Sequence, residues 1–358
     1  MIPRFALSLL MCLFVLCATP ARALPKWTRQ YGMPCGGCHT VPPRLNDFGR
    51  AFQANNFTIP GTQLSLRKNA MPLSGIALFS AERNQTSGKS SADFRSLKLF
   101  AVEPIFFGSR TGVYYANPIA VSNDPSRAAW SVDDIFVTLP IAGARGQWTA
   151  TAGQWMPMLN QWSGHNLFTR TAPSALQLGT DTFSFAGHTP GIRVDFFDNR
   201  GAGTPDGDFF SAGIPFKGHI GFGRSTRLGS SNGVFAHVFR RKGGASLGGF
   251  GYAGSGNWLG GLLWTRDLGT NFTVWGIASL GEDSAGETRR LSVEADRYFG
   301  GRLAVTGRLE WTDGVRSELS PVAAITFFPF KEPIMRATLE LTQRRGDRSV
   351  ALLARGLF

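Results

Sequence analysis

The sequence predicts an all-β protein, an antiparallel β-barrel of about 16 strands whose lumen is plugged by a short N-terminal helical segment. Three observations lead to this fold class. From about residue 70 onward, apolar and polar side chains alternate with a period of two. Glycine- and aspartate-rich turns separate the alternating segments. The stretch before the first strand has about 45 residues once an export signal is set aside, and so short a piece buries too little surface to fold alone.

The chain begins with an export signal. Arg4 supplies a positive charge, an apolar stretch follows from Phe5 to Leu16, and Ala21-Arg22-Ala23 is a small-x-small cleavage site. This order is typical of a secretory signal peptide, and the apolar stretch is short for a membrane-spanning helix of about 20 residues. We therefore assign residues 1–23 to the signal and expect the mature chain to begin near Leu24.

The cysteine count and the net charge narrow the class of protein. Removal of the signal leaves Cys35 and Cys38 of the 4 cysteines, which excludes the disulfide framework of a small secreted scaffold. The formal net charge is +13, and it falls to +11 without the two arginines of the signal. A basic exported chain is expected to meet an acidic redox protein or an anionic lipid surface, and nucleic acid is not expected as a partner.

The alternating segments have the length and chemistry of membrane-spanning strands. Residues 303–311, 335–342 and 135–141 are clear examples, with an apolar residue or glycine at every second position. Because successive side chains of a strand point to opposite faces, one face suits lipid and the other suits a polar lumen. After the signal no stretch of about 18 uninterrupted apolar residues occurs, so helical spans are not predicted. The segments number between about 14 and 18, and the even numbers of single-chain bacterial barrels favour 16.

Aromatic residues support an outer-membrane location. The 29 Phe and 9 Trp suffice for aromatic belts at both membrane interfaces. The chain ends in Phe358, and a terminal aromatic residue is typical of bacterial outer-membrane proteins. The alternative is a soluble β-sandwich or barrel, but one buried core does not need so many half-apolar strands. We therefore assign residues 24–68 to the N-terminal segment and 69–358 to a barrel in contact with outer-membrane lipid.

Residues 34–39, Pro-Cys-Gly-Gly-Cys-His, contain the Cys-x-x-Cys-His pattern of haem c attachment. This spacing lets the thiols of Cys35 and Cys38 add to the two vinyl groups on one edge of the haem. His39 is then placed beneath the iron as the proximal ligand. The rival interpretation is a redox dithiol, but such motifs lie between the strand and the helix of a βαβ unit, and no such unit is visible in the sequence.

The rest of the N-terminal segment offers further contacts for a haem. Residues 42–56 are predicted to be helical, and Phe48 and Phe52 along one side either cover a haem face or pack on the barrel wall. Arg29, Arg44 and Arg50 are candidates to bind the haem propionates, because guanidinium groups pair well with carboxylates; lumen carboxylates and water are their alternative partners. A lumen of about 16 strands is wide enough to hold such a segment.

The sequence leaves the distal haem ligand open. Met33 is too close to the attachment site to reach the far face, whereas Met71 follows the segment and is a reasonable candidate. The other candidates are Met156, Met158, His165 and His188. They lie in a long piece that is expected to fold inward, as loops do in many porins. His219 and His237 lie in strand-like contexts and are expected to be wall residues.

Two stretches around the motif resemble the fused cytochrome–porin family, whose best-known members are outer-membrane iron-oxidising monohaem cytochromes. Before the Cys-x-x-Cys-His motif stands Arg-Gln, and after it stands Pro-x-Leu-Asn-x-Phe-Gly-Arg-x-Phe, so that the resemblance covers residues 27–52. Thr28 replaces the usual Ala, and the chain is shorter than typical iron-oxidising members. The resemblance implies electron transfer through the outer membrane, with Fe(II) as one donor.

The predicted function is therefore electron transfer through a single haem c. An extracellular reductant such as Fe(II) would be the donor and a periplasmic electron-carrier protein the acceptor, which would make the chain an iron(II):cytochrome c oxidoreductase. Outward delivery to an extracellular acceptor uses the same parts. A solute porin with a haem-bearing plug belongs to another class of function. A haem enzyme would need an open sixth iron position, and no distal acid–base pair is visible near the motif.

Overall fold

Strand pairing dominates the computed structural model of the chain, which describes residues 32–41, 44–54, 57, 73–107, 110–120, 130–143, 148–157, 167–169, 172–177, 183–198, 206–216, 233–314, 317–329, 335–344 and 346–357. Several positions of the sequence predictions lie outside the described residues. They are the signal 1–23, Arg29, Met71, Met158, His165, His219 and Phe358.

The described part of the chain contains sixteen long strands, each paired antiparallel with its neighbours in one closed barrel. The strands are β3 Leu73–Asn84, β4 Ser90–Phe107, β5 Arg110–Ala120, β6 Trp130–Ala142, β7 Trp148–Trp155, β8 Thr189–Phe197, β9 Gly207–Pro215, β10 Gly233–Lys242, β11 Ala245–Gly254, β12 Asn257–Asp267, β13 Phe272–Asp283, β14 Gly286–Phe299, β15 Leu303–Asp313, β16 Glu318–Phe327, β17 Met335–Arg344 and β18 Asp347–Leu357. The last strand pairs with the first, from Ser349↔Asn84 to Leu357↔Ile76. The predicted all-β antiparallel architecture is confirmed.

The period-two pattern separates an outward face from an inward face on every well-described strand. Outward side chains are apolar and exposed, as Leu247, Leu262 and Val234 illustrate at 62%, 57% and 58% exposure. Inward side chains of the same sheet, such as Glu294 and Thr306, are buried. Such an apolar outer face can pack on acyl chains, because the backbone N–H and C=O groups of a closed barrel form hydrogen bonds with the neighbouring strands. The strand pattern in the sequence therefore sets the register of the whole sheet.

The two rims of the barrel differ. The terminal rim is the one at which β3 begins and β18 ends, and it carries the short turns at 243–244 and 300–302. The opposite rim carries turns as short, at 255–256 and 284–285, and in addition the longest connection, residues 156–188 between β7 and β8. Because consecutive strands are antiparallel, the residue range of each strand fixes which of its ends lies at which rim.

The connection between β7 and β8 folds inward, as the sequence predicts. Its 3-10 helix, Ser174–Leu176, contacts β13, β14 and β15. Farther along, the Phe183 ring stacks on Tyr252 at a centroid distance of 4.1 Å and an interplanar angle of 9°. Phe183 and Tyr252 belong to a hydrophobic cluster inside the barrel, which we call the lumen cluster. Its members are Phe136, Trp155, Met156, Leu167, Ala175, Leu176, Phe183, Phe185, Phe235, Phe250, Tyr252, Leu259, Leu263, Trp275 and Ile277.

The lumen cluster corrects one detail of the sequence prediction. The alternation predicts a polar face toward the lumen, yet β10 to β13 contribute large apolar side chains to it. The reason is that the inward-folded connection covers this part of the wall with its own aromatic side chains. Apolar surface removed from water on both sides stabilises the contact, so that these positions need not be polar.

The N-terminal segment forms four short elements. They are helix α1 Cys35–Cys38, strands β1 His39–Val41 and β2 Arg44–Leu45, and helix α2 Asp47–Ala54. The helix predicted over residues 42–56 is thus shorter, because Leu45 pairs with His39 in a β1–β2 hairpin before the helix begins. Across the described residues, no helix is long and apolar enough to span a bilayer.

Candidate functional site

Helix α1 is a single turn with a cysteine at each end. Residues three positions apart on a helix lie on the same side, so the thiols of Cys35 and Cys38 share one face. Neither is in a disulfide, and both are partly buried. His39 follows directly in an extended conformation, with φ −124° and ψ 137°, which turns its side chain out of the helix. The motif therefore presents two thiols and an imidazole from five consecutive residues.

The environment of Cys38 raises the pKa of its thiol. Burial, together with the neighbouring Cys35 thiol, raises the pKa of Cys38 above its ordinary value. A redox dithiol works through a lowered thiol pKa, since the thiolate is the nucleophile. The attacking thiolate of a Cys-x-x-Cys dithiol is the first cysteine, whereas the raised pKa belongs to Cys38, the second, so this shift is compatible with both interpretations of the motif.

Asn46 holds helix α1 against helix α2. Its side-chain amide donates to the carbonyl oxygens of Gly36 and Gly37, both at 3.1 Å, and its backbone N–H donates to the Cys38 carbonyl at 3.0 Å. Its side-chain oxygen accepts from the Gly49 N–H at 2.9 Å, the N-cap bond of α2. One residue thus caps one helix and satisfies the end of the other.

Gly49 allows the two helices to touch. A Cβ at this position would lie 2.0 Å from the Cys38 carbonyl oxygen and 2.9 Å from its carbon, both backbone atoms. Only glycine permits so close an approach. Gly36, inside the motif, faces open space, since a Cβ there would meet nothing within 4 Å. The motif is therefore packed on one side by α2 and open on the other.

Removal of the Asn46 bonds is expected to loosen the motif. Asn46→Ala should destabilise the docking of α1 on α2 by about 1–3 kcal/mol, because two donated bonds and the cap are lost together. Asn46→Asp keeps the acceptor for the Gly49 N–H but cannot donate to the carbonyl oxygens of Gly36 and Gly37. This variant should therefore also weaken the docking of α1 on α2. The measurement is haem per polypeptide after expression with cytochrome-maturation machinery. Asn84→Ala is the control, because Asn84 caps an exposed turn with similar bonds to Thr86 and Ser87. Full haem content in Asn46→Asp would contradict this role.

Arg44 connects the hairpin to the barrel wall. Its guanidinium donates to Glu294 Oε1 at 2.9 Å and also pairs with Asp296, two inward carboxylates of β14 whose side chains are 0% exposed. Trp275 Nε1 donates to the same Glu294 oxygen at 3.0 Å. Arg308 Nη1 lies 3.6 Å from the other Glu294 oxygen. Arg44 therefore lies in the half of the barrel near the terminal rim, beside carboxylates that the sequence analysis did not single out.

Arg50 makes a second connection from α2 to the wall. Its Nη1 lies 2.8 Å from Asp267 Oδ2, and Arg241 Nη2 lies 2.8 Å from the same oxygen. Asp267 ends β12 at the terminal rim. At the end of α2, Ala54 packs in a buried cluster with Phe197, Phe209 and Phe239 of the wall.

The predicted haem contacts differ in their placement. Phe52 is 7% exposed and packs edge-on against Phe57 at 5.9 Å, whereas Phe48 is partly exposed. Arg44 and Arg50 lie against wall carboxylates, the alternative that the sequence left open for them. Arg29 is outside the described residues. The haem contacts of these residues remain predictions.

Two of the candidate distal ligands lie in the described part of the chain. Met156 is 3% exposed within the lumen cluster. His188 Nδ1 lies 2.7 Å from Asp134 Oδ1, a contact that fixes the ring orientation. His237 is buried among Phe209 and Phe239 on the wall, as expected from its strand context. Within the described residues no group of three His, Cys, Asp or Glu side chains is placed to hold a metal ion.

The residues of the motif fit a thioether-linked haem. The thiols lie on one face of one turn, they are not oxidised to a disulfide, and the face at Gly36 is open. The three motif residues are predictable from the sequence, whereas the roles of Asn46 and Gly49 in positioning them are seen only in the structure. Both residues lie in the stretch that carries the family resemblance, and this was the feature of the sequence that could have identified them.

Comparison with known proteins identifies the fold. No family model and no curated protein sequence matches the chain. Among solved structures it is similar to OmpF of Salmonella typhi in complex with daunomycin, with a TM-score of 0.63, 13% identity, and 80% of this chain and 97% of that chain covered. It is also similar to a mutant porin of Rhodopseudomonas blastica, with a TM-score of 0.57, 10% identity, and 80% and 99% covered. A loop-deletion mutant of OmpT from Vibrio cholerae gives a TM-score of 0.58, 9% identity, and 80% and 98% covered. The chain thus has the fold of outer-membrane porins.

Proposed function

We propose that this protein transfers electrons across the bacterial outer membrane through one haem c carried inside a porin-type barrel. The donor is an extracellular reductant such as Fe(II), and the acceptor is a periplasmic electron-carrier protein. The observation that carries the proposal is the motif Cys35–His39, clamped by Asn46 and attached to the inward wall through Arg44. A solute porin needs none of these three features.

The residues of the site have separate roles in this proposal. Cys35 and Cys38 tether the haem, and His39 supplies the proximal nitrogen. A bound haem supplies a one-electron carrier. Asn46 and Gly49 hold the tethering turn in place. Arg44 anchors the segment as a plug, because it pairs with the buried carboxylate of Asp296 and also donates to the buried carboxylate of Glu294.

The barrel is proposed to lie in the outer membrane with its terminal rim toward the periplasm. Outer-membrane barrels have short periplasmic turns and longer extracellular loops, and the longest connection of this chain leaves the opposite rim. Arg44 and Arg50 attach the segment in the terminal half of the barrel. A periplasmic carrier would thus meet the haem-bearing end. The hydrocarbon core is about 30 Å thick, so that both partners must approach their openings closely.

Two measurements test the proposal on purified full-length protein. Wild type is expected to carry the added mass of one haem, whereas Cys35→Ser combined with Cys38→Ser should weigh what its amino acids predict. In stopped-flow spectroscopy, Fe(II) is expected to reduce the wild-type haem within seconds at acidic or neutral pH. A colourless wild-type protein would overturn the proposal. A coloured protein that Fe(II) leaves oxidised would remove iron as the donor and favour outward electron delivery.

A solute porin with a haem-bearing plug is the second candidate, favoured by the similarity to porins. Planar-bilayer recording separates the two functions. The lumen cluster and the attached N-terminal segment occupy lumen space, so the proposed electron-transfer protein should conduct few ions. A large steady conductance of the wild type would favour the porin.

A further inference from the structure

We propose that Arg336 and Arg355 form a seat on the barrel wall for the propionate carboxylates of the haem. This inference rests on the proposed function, and it assigns the haem two contacts that lie far along the chain from the attachment motif. Arg29, Arg44 and Arg50 were the candidates from sequence. The described pair, Arg44 and Arg50, is already occupied by wall carboxylates.

The two arginines stand side by side and face the lumen. Arg336 of β17 is the direct cross-strand partner of Arg355 of β18. Two residues further along each strand, Thr338 and Leu353 are buried, at 2% and 8% exposure, and they share the face of the arginines. The residues of the other face are exposed to the outside, as Leu352 is at 51%. The pair therefore lies on the inner wall near the terminal rim.

Among the described residues this pair of positive charges has no carboxylate partner. Like charges directly opposite on neighbouring strands repel each other. Within the described part of the chain no carboxylate forms an ion pair with either residue, and the other cross-strand neighbour of Arg355 is Leu78. Arg336 Nη1 donates to a backbone carbonyl, that of Leu167, at 3.1 Å. The other inward arginines of the site, Arg44, Arg50 and Arg308, all have carboxylate partners. An anion between Arg336 and Arg355 would relieve their repulsion.

The ring of Phe168 links this pair to the haem motif. The guanidinium carbon of Arg336 lies 6.0 Å from the ring centroid, and that of Arg44 lies 5.9 Å from the same centroid. Arg44 belongs to the hairpin in which Leu45 pairs with His39. The arginine pair thus borders the same part of the lumen as the motif.

The chemistry of haem c matches this arrangement. Its propionates leave the edge of the ring opposite to the vinyl groups, so they point away from Cys35 and Cys38. Two carboxylates need two cations in one place, and the planar guanidinium fork binds a carboxylate with two parallel bonds. A pair of adjacent arginines provides this on the wall rather than on the segment. The seat would also fix the orientation of the haem plane relative to the barrel.

The test uses the haem-loaded full-length protein and its variants Arg336→Gln and Arg355→Gln. Removal of a positive charge beside the propionates should favour the ferric form by about tenfold in the redox equilibrium, which is about 59 mV for one electron. The resonance Raman bands of propionate bending should shift as well. Arg348→Gln is the matched control, since Arg348 is exposed at the opposite rim and should leave both readouts unchanged.

Three outcomes would overturn the inference in different ways. Unchanged potential and unchanged propionate bands in both variants would exclude the seat while leaving the proposed function intact. If inorganic phosphate shifts the wild-type potential and Arg355→Gln abolishes that shift, the pair binds a solute anion instead of the propionates. A wild-type protein without haem would overturn the proposed function and the seat together.

Discussion

Replacement of Arg44 by alanine is expected to release the N-terminal segment from the barrel wall. Arg44 is the cation that pairs with Asp296, whose other oxygen accepts only from Thr306 at 2.6 Å within the described residues. Loss of one partner of a buried ion pair costs about 3–5 kcal/mol, because the remaining charge stays buried without compensation. At 3 kcal/mol the ratio of docked to released segment falls roughly a hundredfold. The measurements are the rate of chymotrypsin cleavage within residues 32–57, whose sites Leu45, Phe48 and Phe52 are kept in this variant and in its control, and the conductance in planar bilayers. Both should rise.

Arg50→Ala provides the control for this prediction. Asp267 keeps Arg241 at 2.8 Å when Arg50 is removed, so its charge remains paired and the cost should be about 1 kcal/mol or less. Asp296→Asn in the Arg44→Ala background should recover part of the docking, because the uncompensated charge is removed. If Arg44→Ala and Arg50→Ala release the segment equally, the β14 carboxylates do not anchor it.

The barrel was predictable because its signal is local and repeated. In a strand such as β15, residues 303–313, the alternation of apolar and polar residues is enough to identify the two faces, and the same alternation recurs in the other strands. The preference for sixteen strands agrees with the structure across the described residues. The apolar inner face of β10 to β13 was not predictable, since whether Phe250 or Trp275 meets water or Phe185 depends on how a distant connection folds.

In the candidate site, too, the local features were predictable and the long-range contacts were not. The motif Cys35–His39 is contiguous, so its chemistry can be predicted from the sequence alone. The partners of Arg44 are about 250 residues away along the chain, and no local pattern marks Glu294 or Asp296 among the other inward residues of the wall. The helix predicted over residues 42–56 is five residues too long at its start and two too long at its end, compared with Asp47–Ala54. Strands as short as β1, with three residues, and β2, with two, leave almost no periodic trace in the sequence.

Gly49→Ala is expected to cause the second large loss, this time in haem attachment. The added Cβ would lie 2.0 Å from the Cys38 carbonyl oxygen and 3.0 Å from Leu45 Cδ2, and a backbone carbonyl at the end of α1 cannot rotate away as a side chain can. Helix α2 must therefore move off the motif, which also stretches the bonds of Asn46. Overpacking of this kind costs about 1–3 kcal/mol or more, equivalent to about a fivefold to a hundredfold loss of correctly docked motif.

The motif itself supplies the matched control for Gly49→Ala. A Cβ at Gly36 meets nothing within 4 Å. One at Gly37 meets Met33 Cβ at 3.5 Å, and Met33 Sδ and Pro34 Cδ at 3.9 Å, all of which are ordinary contacts. Gly36→Ala and Gly37→Ala should therefore keep haem per polypeptide near the wild-type level, measured by pyridine haemochrome absorbance and intact mass, while Gly49→Ala loses most of it. Equal haem content in all three variants would mean that the close approach of α2 to Cys38 is not what holds the two thiols and His39 in register for attachment.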